Sequence, residues 1–363
     1  MDRPPSIAKE FIANATLYLS WSLNCHGKSL RPVALGVSEL NARALWSGGL
    51  LLLLAFAGVL FFADLQRLVP MAGAYPWDRV VVAIGLATLN YALRSLRFRR
   101  YMRRLGHHLG IVESFLLFVA GLLFTVSPGK MGEVFKAWLV RERHNTPLTD
   151  TTTAVVAERV TDVLGLLVLV ALGLGRYRTH IELFWGILAL TCVCLVVIAH
   201  PTALKSILSR IKGRYRTPSP RVIAVFEALD RAQRALRILC RPRELAIAVL
   251  IATIGWGLEA YAFRMILDGI GAHGTLGAAV VVYAAATLFG AASMLPGGVG
   301  STEALFVALC LHPIFAFGLD DTGAALVTLL IRLATLWWAV LFGGICVVLL
   351  RRWPIRDKPS QTS

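Results

Sequence analysis

Two helix-breaking motifs, about 170 residues apart, interrupt long apolar stretches of this chain. The first reads Ser-Pro-Gly-Lys-Met-Gly-Glu over 127–133, and the second reads Leu-Pro-Gly-Gly-Val-Gly-Ser-Thr-Glu over 295–303. In a membrane, irregular backbone and a carboxylate are tolerated only where they are buried in protein or line a cavity. The paired breaks therefore predict a membrane transport protein whose binding site lies at these motifs. The expected helix-breaking residues are Pro128, Gly129, Gly132, Pro296, Gly297, Gly298 and Gly300.

The composition indicates a membrane protein and argues against a soluble domain. Hydrophobic residues make up 57% of the 363 residues, and the mean hydropathy is +0.68. The net charge of +16 is concentrated in loops between apolar stretches, as on the cytoplasmic side of membrane proteins. No DNA- or RNA-binding module accompanies this charge, so no nucleic acid partner is expected. The six cysteines show no metal-ligand spacing, which predicts neither a metal site nor a disulfide framework.

The hydropathy pattern predicts an all-α polytopic membrane protein with about six transmembrane helices and two re-entrant helical hairpins. The two broken regions, 111–142 and 276–316, are each long enough for two spans or for one hairpin. The distribution of positive charge decides between these topologies, because basic loops of membrane proteins lie mainly on the cytoplasmic side. The basic segments 94–110 and 200–244 both lie on that side only if both broken regions are re-entrant. Both termini are then cytoplasmic. The six spans are expected at 44–63, 79–95, 151–175, 181–199, 245–267 and 323–350.

The transmembrane domain, 44–350, divides into two halves with inverted topology. Half one, about 79–175, contains a span, a hairpin and a span, and half two, about 245–350, repeats this order from the opposite side. The two flanking segments are expected to be a cytoplasmic N-terminal extension over 1–43 and a cytoplasmic tail over 351–363.

A basic amphipathic linker over 200–244 connects the halves. Within it, apolar residues recur at helical spacing over 219–240, with arginines on the other faces. This pattern predicts a helix that either lies on an anionic membrane surface or docks on the cytoplasmic ends of the spans.

Charged residues near the breaks form the predicted substrate site. A charge at the centre of a transmembrane helix costs roughly 2.5–3.5 kcal/mol, so each needs a partner, water or a charged ligand. The half-helix after each break presents free N–H groups and a positive dipole end, and arginine binds phosphate oxygens bidentately. A phosphate-bearing ligand at the membrane midplane is therefore expected. The residues assigned to the site are Lys130, Glu133, Glu158, Arg159, Asp162, Glu303 and Arg332.

Ion pairing is the alternative role for four of these residues. Glu133 with Arg159, and Glu303 with Arg332, are placed to lock each hairpin to the span that follows it. Both roles are compatible, since a paired arginine keeps further donors for a ligand.

At these motifs the chain resembles the lysylphosphatidylglycerol synthase transmembrane, or flippase-like, family. The matching segments are 127–133, Ala-Glu-Arg-Val-Thr-Asp at 157–162, and 295–300 with Glu303. The resemblance covers nearly the whole chain and implies a polytopic lipid flippase domain. It also implies a substrate class of phospholipids, aminoacylated phosphatidylglycerol, or polyprenyl- or hopanoid-related lipids. In the family's multiple peptide resistance factors a cytosolic aminoacyl-transferase domain follows, whereas only 351–363 follow here, so synthase activity is not expected.

The leading hypothesis is translocation of an anionic lipid, or a polyprenyl- or phosphate-linked lipid, between the two hairpins in the cytoplasmic (inner) membrane. No ATP-binding P-loop is present, so movement is expected to be downhill or ion-coupled, without a cofactor and without enzymatic activity. Two alternatives stay open. One is a membrane enzyme acting on lipid headgroups with Glu158, Asp162 and Glu303 as acid/base groups, and the other is a small-solute or ion transporter. The expected partner is anionic lipid, and homo-oligomerisation is left open.

Overall fold

The computed structural model describes residues 65–127, 131–174 and 220–352, with isolated positions between 182 and 193. Several predicted features lie outside the described residues: the extension 1–43, the spans 44–63 and most of 181–199, the first part of the linker, the tail from 353, and Pro128, Gly129 and Lys130.

Every regular element in the described ranges is helical, which confirms the all-α class. α2, α7 and the continuous α10–α11 segment are long and apolar enough to cross a membrane. α5 is as long as α2, with 27 residues, but carries Glu158, Arg159 and Asp162. The helices are α1 (Leu65–Ala74), α2 (Asp78–Arg104), α3 (Ile111–Leu122), α4 (Met131–His144), α5 (Leu148–Leu174), α6 (Pro220–Leu239), α7 (Pro242–Gly269), α8 (Leu276–Ala292), α9 (Ser301–Leu311), α10 (Asp321–Arg332) and α11 (Trp338–Arg352).

α2 and α7, the first helices of the two halves, pack antiparallel. The hydroxyl of Tyr75, which precedes α2, donates to the carbonyl of Ile266 near the end of α7 at 3.1 Å. Burial raises the pKa of Tyr75 to about 12, so this donor stays protonated. At the other end, Arg100 Nε lies 2.7 Å from Glu244 Oε2 in the first turn of α7. The halves therefore start in opposite directions, which agrees with the predicted inverted repeat.

The packing contacts of the two halves correspond pair by pair. α3 packs on α2 and on α11, and in the same way α8 packs on α7 and on α5. α3 and α4 form one hairpin, and α8 and α9 form the other. α4 then packs on α5, as α9 packs on α10. Exchanging the halves maps each of these contacts onto its counterpart.

The two hairpins begin at opposite ends of the bundle and meet at their tips. The first begins beside the C-terminal end of α2 and the second beside the C-terminal end of the antiparallel α7. At the tips, a β-carbon on Gly297 would stand 3.4 Å from Cγ2 of Val126. Val126 and Val299 are buried in one small apolar cluster with Leu336. Val126, just before the first break, therefore contacts the second break.

One predicted boundary is wrong. The span expected at 79–95 does not end near residue 95, because α2 continues to Arg104, and 94–104 is therefore helical rather than a basic loop. Arg94 and Arg97 are buried and pair with Asp162 of α5. Arginine is a good helix former, and a buried carboxylate partner compensates its charge. The helix therefore continues through these residues.

The linker helix docks on the bundle. α6 packs on α5 and contacts α2, and its residues Ala235 and Leu239 are buried. Of the two placements predicted for 219–240, docking on the spans is confirmed, and contact with a membrane surface stays a prediction.

The two ends of the bundle differ in charge. Arg143 marks the first end, where it contacts Glu113 of α3 at 2.9 Å and the carbonyl of Leu350 in α11 at 3.1 Å. Exposed arginines at this end include Arg103, Arg104, Arg241, Arg243, Arg351 and Arg352. Exposed acidic residues at the opposite end include Asp78, Asp268, Asp320 and Asp321.

Gly343 allows α11 to lie against the first hairpin. A β-carbon there would stand 2.6 Å from the backbone nitrogen of Leu123 and 2.9 Å from the carbonyl oxygen of Val119. We expect Gly343→Ala to lower the melting temperature of the detergent-purified protein, because the two helices must separate.

The neighbouring Gly344 provides the matched control. A β-carbon there would meet only the side chain of Leu123, at 3.7 Å. Gly344→Ala should leave the melting temperature unchanged or raise it, since Ala is favoured over Gly in a helix by about 1 kcal/mol. Equal melting temperatures for the two variants would contradict the packing of α11 on α3.

Candidate functional site

Glu133 and Arg159 connect the first helix break to α5. Arg159 Nε lies 2.8 Å from Glu133 Oε1, so the ion pair expected from the sequence is present. Glu133 stands in the first turn of α4, where a carboxylate is favoured by the helix dipole. The Arg159 side chain remains 45% exposed and that of Glu133 31% exposed. Arg159 can therefore contact a ligand without leaving its partner.

Glu303 and Arg332 connect the second break to α10 through hydrogen bonds within the protein. Arg332 donates from Nε to Glu303 at 2.6 Å and from a terminal nitrogen to the carbonyl of Gly297 at 2.9 Å. The second oxygen of Glu303 accepts from the N–H of Gly300 at 2.7 Å. Gly297, Gly298 and Gly300 have positive φ, which favours glycine. Arg332, with its side chain only 11% exposed, thus stabilises the irregular backbone of this break.

Asp162 is the buried centre of a group of arginines. Its carboxylate lies 2.6 Å from Arg97, 3.2 Å from Arg94 and 3.7 Å from Arg159. The indole N–H of Trp256 donates to the same carboxylate at 3.2 Å. Since these partners come from α2, α5 and α7, Asp162 connects helices of both halves.

Lys136 and Glu158 form a second buried ion pair between α4 and α5. Lys136 Nζ lies 2.5 Å from Glu158 Oε2. The ammonium group also lies 4.4 Å from the ring centroid of Phe98 and 4.9 Å from that of Phe118, within cation–π range. The other oxygen of Glu158 has no hydrogen-bond partner among the described residues.

Together these side chains form a charged cluster beside the first break, with four cations and three anions in direct ionic contact. With every group ionised its net charge is +1, which favours an anionic ligand. The members of the charged cluster are Arg94, Arg97, Glu133, Lys136, Glu158, Arg159 and Asp162. Of the predicted site residues, it contains Glu133, Glu158, Arg159 and Asp162. Glu303 and Arg332 form the separate pair at the second break.

Half two has no equivalent of Lys136. Phe306 stands three residues after Glu303, as Lys136 stands three residues after Glu133. Phe306 is buried and packs against Phe263 with ring centroids 5.1 Å apart. The corresponding position in half two is therefore apolar, and the two breaks have different electrostatic surroundings.

Glu259 is a further buried carboxylate, outside the charged cluster. It is buried between α2, α7 and α8 and accepts from Asn90 Nδ2 at 2.6 Å and from the hydroxyl of Tyr283. It therefore connects three helices by hydrogen bonds.

The sequence prediction missed Arg94, Arg97 and Lys136. The signal for the two arginines is their spacing of three residues within an otherwise amphipathic segment, which places them near one another on a helix. The signal for Lys136 is its position three residues after Glu133, in the half-helix that follows the break.

Asp162→Asn should destabilise the protein strongly, because it removes the carboxylate that Arg94 and Arg97 share. Breaking a buried ion pair by removing one partner costs about 3–5 kcal/mol. Thermal unfolding in detergent measures the effect. Asp268→Asn is the control, since it breaks a more exposed pair with Arg264 at the bundle end, worth about 1 kcal/mol or less. Similar melting temperatures for the two variants would contradict the role of Asp162.

Lys136→Met should also destabilise the protein, because it leaves the buried Glu158 carboxylate without its cation. Lys136→Met combined with Glu158→Leu should recover most of the loss, since replacing a whole buried pair by apolar residues is often neutral. A double-mutant cycle on melting free energies measures this coupling. Additive effects of the two substitutions would show that the pair does not interact.

Comparison with known proteins places this architecture among membrane proteins. Residues 45–343 match the family described as the lysylphosphatidylglycerol synthase TM region. A UPF0104 membrane protein of Pyrococcus horikoshii is 24% identical over 81% of this chain and 93% of its own length. One from Methanocaldococcus jannaschii is 21% identical over 76% of this chain and 85% of its own length. The glycosyltransferase AglD of Haloferax volcanii is 28% identical over 36% of this chain and 21% of its own length.

The family match extends over both halves and both helix breaks. Of the motifs at which the sequence resembles this family, Glu133 and the segment 157–162 contribute to the charged cluster, and Gly297 and Val299 lie at the contact between the hairpin tips. The chain therefore belongs to the lysylphosphatidylglycerol synthase transmembrane family.

Proposed function

We propose that the protein moves the headgroup of an anionic lipid, or of a lipid-linked phosphate, across the membrane at the charged cluster. The observation that carries this proposal is the exposure of Arg159. Its side chain is 45% exposed, in a cluster with one more cation than anions. An exposed arginine at membrane depth is costly unless water or an anion accompanies it. Membership of a membrane-domain family named after a phospholipid synthase agrees with a lipid substrate.

We propose six spans and two re-entrant hairpins as the topology that serves this function. α3 has 12 residues and is about 18 Å long, too short for a hydrocarbon core of about 30 Å. The contact between the hairpin tips agrees with breaks near the midplane. The basic end of the bundle would face the cytoplasm, with both termini on that side of the cytoplasmic membrane.

Arg159 would bind the lipid phosphate, because its guanidinium presents donors in the planar arrangement that suits phosphate oxygens. The N–H groups at the start of α4 and the predicted contribution of Lys130 would add to this anion site. Arg159 would keep its contact with Glu133 while its remaining donors bind the phosphate. Arg332 would hold the second break, rather than contact the ligand, because it binds Glu303 and Gly297 and its side chain is only 11% exposed.

Hairpins that begin at opposite ends would give a headgroup access to the cluster from each leaflet in turn, while the acyl chains stay in the bilayer.

We propose transport rather than catalysis. The glycosyltransferase relative matches over only 21% of its length, and its activity is not transferred to this chain.

Arg159→Gln should slow the translocation of fluorescent phosphatidylglycerol in proteoliposomes about tenfold or more, since a charge-assisted hydrogen bond contributes about 1.5–3 kcal/mol. Dithionite quenching of the labelled lipid measures the rate. Arg79→Gln is the matched control, because Arg79 is 41% exposed at the acidic end of the bundle, and its rate should equal the wild-type rate.

Three outcomes would contradict the proposal. A wild-type rate for well-folded Arg159→Gln would exclude Arg159 from the path. A covalently altered lipid, detected by mass spectrometry after incubation with the purified protein, would favour the headgroup enzyme. Uptake of soluble phosphate without lipid movement would favour the solute transporter.

A further inference from the structure

The second half of α2 distributes its arginines over three faces. Two of them bind Asp162 inside the bundle, and two bind Glu244 at the start of α7. The remaining two, Arg99 and Arg103, have no carboxylate within ion-pair distance in the part of the chain that the structure describes. The six residues are Arg94, Arg97, Arg99, Arg100, Arg103 and Arg104.

Arg99 and Arg103 line a cavity of about 230 Å³ together with His108, Leu109 and Gly110. Arg99 Nε donates to the carbonyl of Leu109 at 2.8 Å, which holds its guanidinium at the cavity. Gly110 is the N-cap of α3, and no side chain caps this helix. The N-terminal dipole end of α3 therefore adds to the positive charge of the two arginines. The cavity is suited to an anion.

An apolar groove continues from this cationic cavity between α2 and α3. Gly110 of the cavity is followed directly by Ile111 of the groove, and Leu96 lies one helical turn before Arg99 and about two turns before Arg103. Leu96, Ile111 and Val112 are 44%, 60% and 53% exposed. The groove has a volume of about 300 Å³ and is lined by Ala92, Ser95, Leu96, Ile111, Val112 and Phe115.

The dimensions of this surface match one lipid leaflet. Ala92 and Arg103 are eleven residues apart, which corresponds to about 17 Å along a helix. One leaflet of the hydrocarbon core is about 15 Å thick, half of the full thickness of about 30 Å. A phosphate bound at Arg103 would therefore place an acyl chain along the groove as far as Ala92.

We propose that the α2–α3 face binds one anionic glycerophospholipid, with its phosphate between Arg99, Arg103 and His108 and an acyl chain in the apolar groove. Charge complementarity identifies the headgroup as anionic, and the adjoining exposed apolar lining identifies the ligand as a lipid. This site is separate from the charged cluster, whose arginines are bound to Asp162 and Glu133, and it does not depend on the proposed transport.

Native mass spectrometry of the full-length protein in detergent tests the site, with phosphatidylglycerol and phosphatidylcholine of identical acyl chains as probes. Arg99→Gln/Arg103→Gln should weaken the tightest phosphatidylglycerol adduct at least tenfold. Arg351→Gln/Arg352→Gln removes the same charge from exposed positions at the same end of the bundle and should leave this adduct unchanged. Arg159→Gln should also retain it, which separates this site from the transport site. Melting temperatures verify that all variants are folded.

A second variant distinguishes a lipid from a free phosphate. Ala92→Phe fills the groove without changing charge and should weaken phosphatidylglycerol binding several-fold, while glycerol phosphate should compete poorly with the lipid. Equal adducts in both double-arginine variants would overturn the proposal, since binding would then follow total charge. Strong competition by glycerol phosphate or inorganic phosphate, with no effect of Ala92→Phe, would overturn the assignment of a lipid.

Discussion

The buried carboxylate of Asp162 is the interaction on which the arrangement of this bundle depends. It contacts Arg94 and Arg97 from α2, Arg159 on its own helix and Trp256 from α7. None of these charges is stable alone in an apolar interior, so they are tolerated only as a connected group. Because the partners come from both halves, the group fixes α5 against the antiparallel pair α2 and α7. It also holds the helix from which Arg159 reaches Glu133 at the first break.

The protein combines a nearly symmetric framework with two different helix breaks. The packing of hairpins and spans is repeated in both halves, and a Glu–Arg pair follows each break. In half two, however, Arg332 is occupied by Glu303 and by the carbonyl of Gly297. In half one, Arg159 stays accessible and belongs to the charged cluster, whose net charge is positive. Arg332 thus stabilises the backbone of the second break, whereas the Arg159 side chain at the first break remains 45% exposed.

The hydropathy pattern predicted the helical class, and the repeated motifs predicted both Glu–Arg pairs, because each Glu follows a break and each Arg lies in the helix that comes next. The length of α2 was not predicted, since arginines after an apolar stretch resemble a cytoplasmic loop. Only the fold shows that Arg97 faces Asp162, 65 residues later. The different roles of Arg159 and Arg332 could not be predicted from the sequence either. One partner of Arg332 is the backbone carbonyl of Gly297, and a sequence pattern does not show which side chain binds a backbone carbonyl.

The depth of the hairpin tips in a lipid bilayer tests the central claim most directly. Spin labels attached singly at Val126→Cys and Val299→Cys, in protein whose native cysteines are replaced, report depth through relaxation by oxygen and by a water-soluble nickel complex. We expect both labels near the bilayer centre, since the tips contact one another and the hairpins begin at opposite ends of the bundle. A label at headgroup depth, at either position, would show that the two breaks do not meet at the midplane and would contradict a shared path for the headgroup.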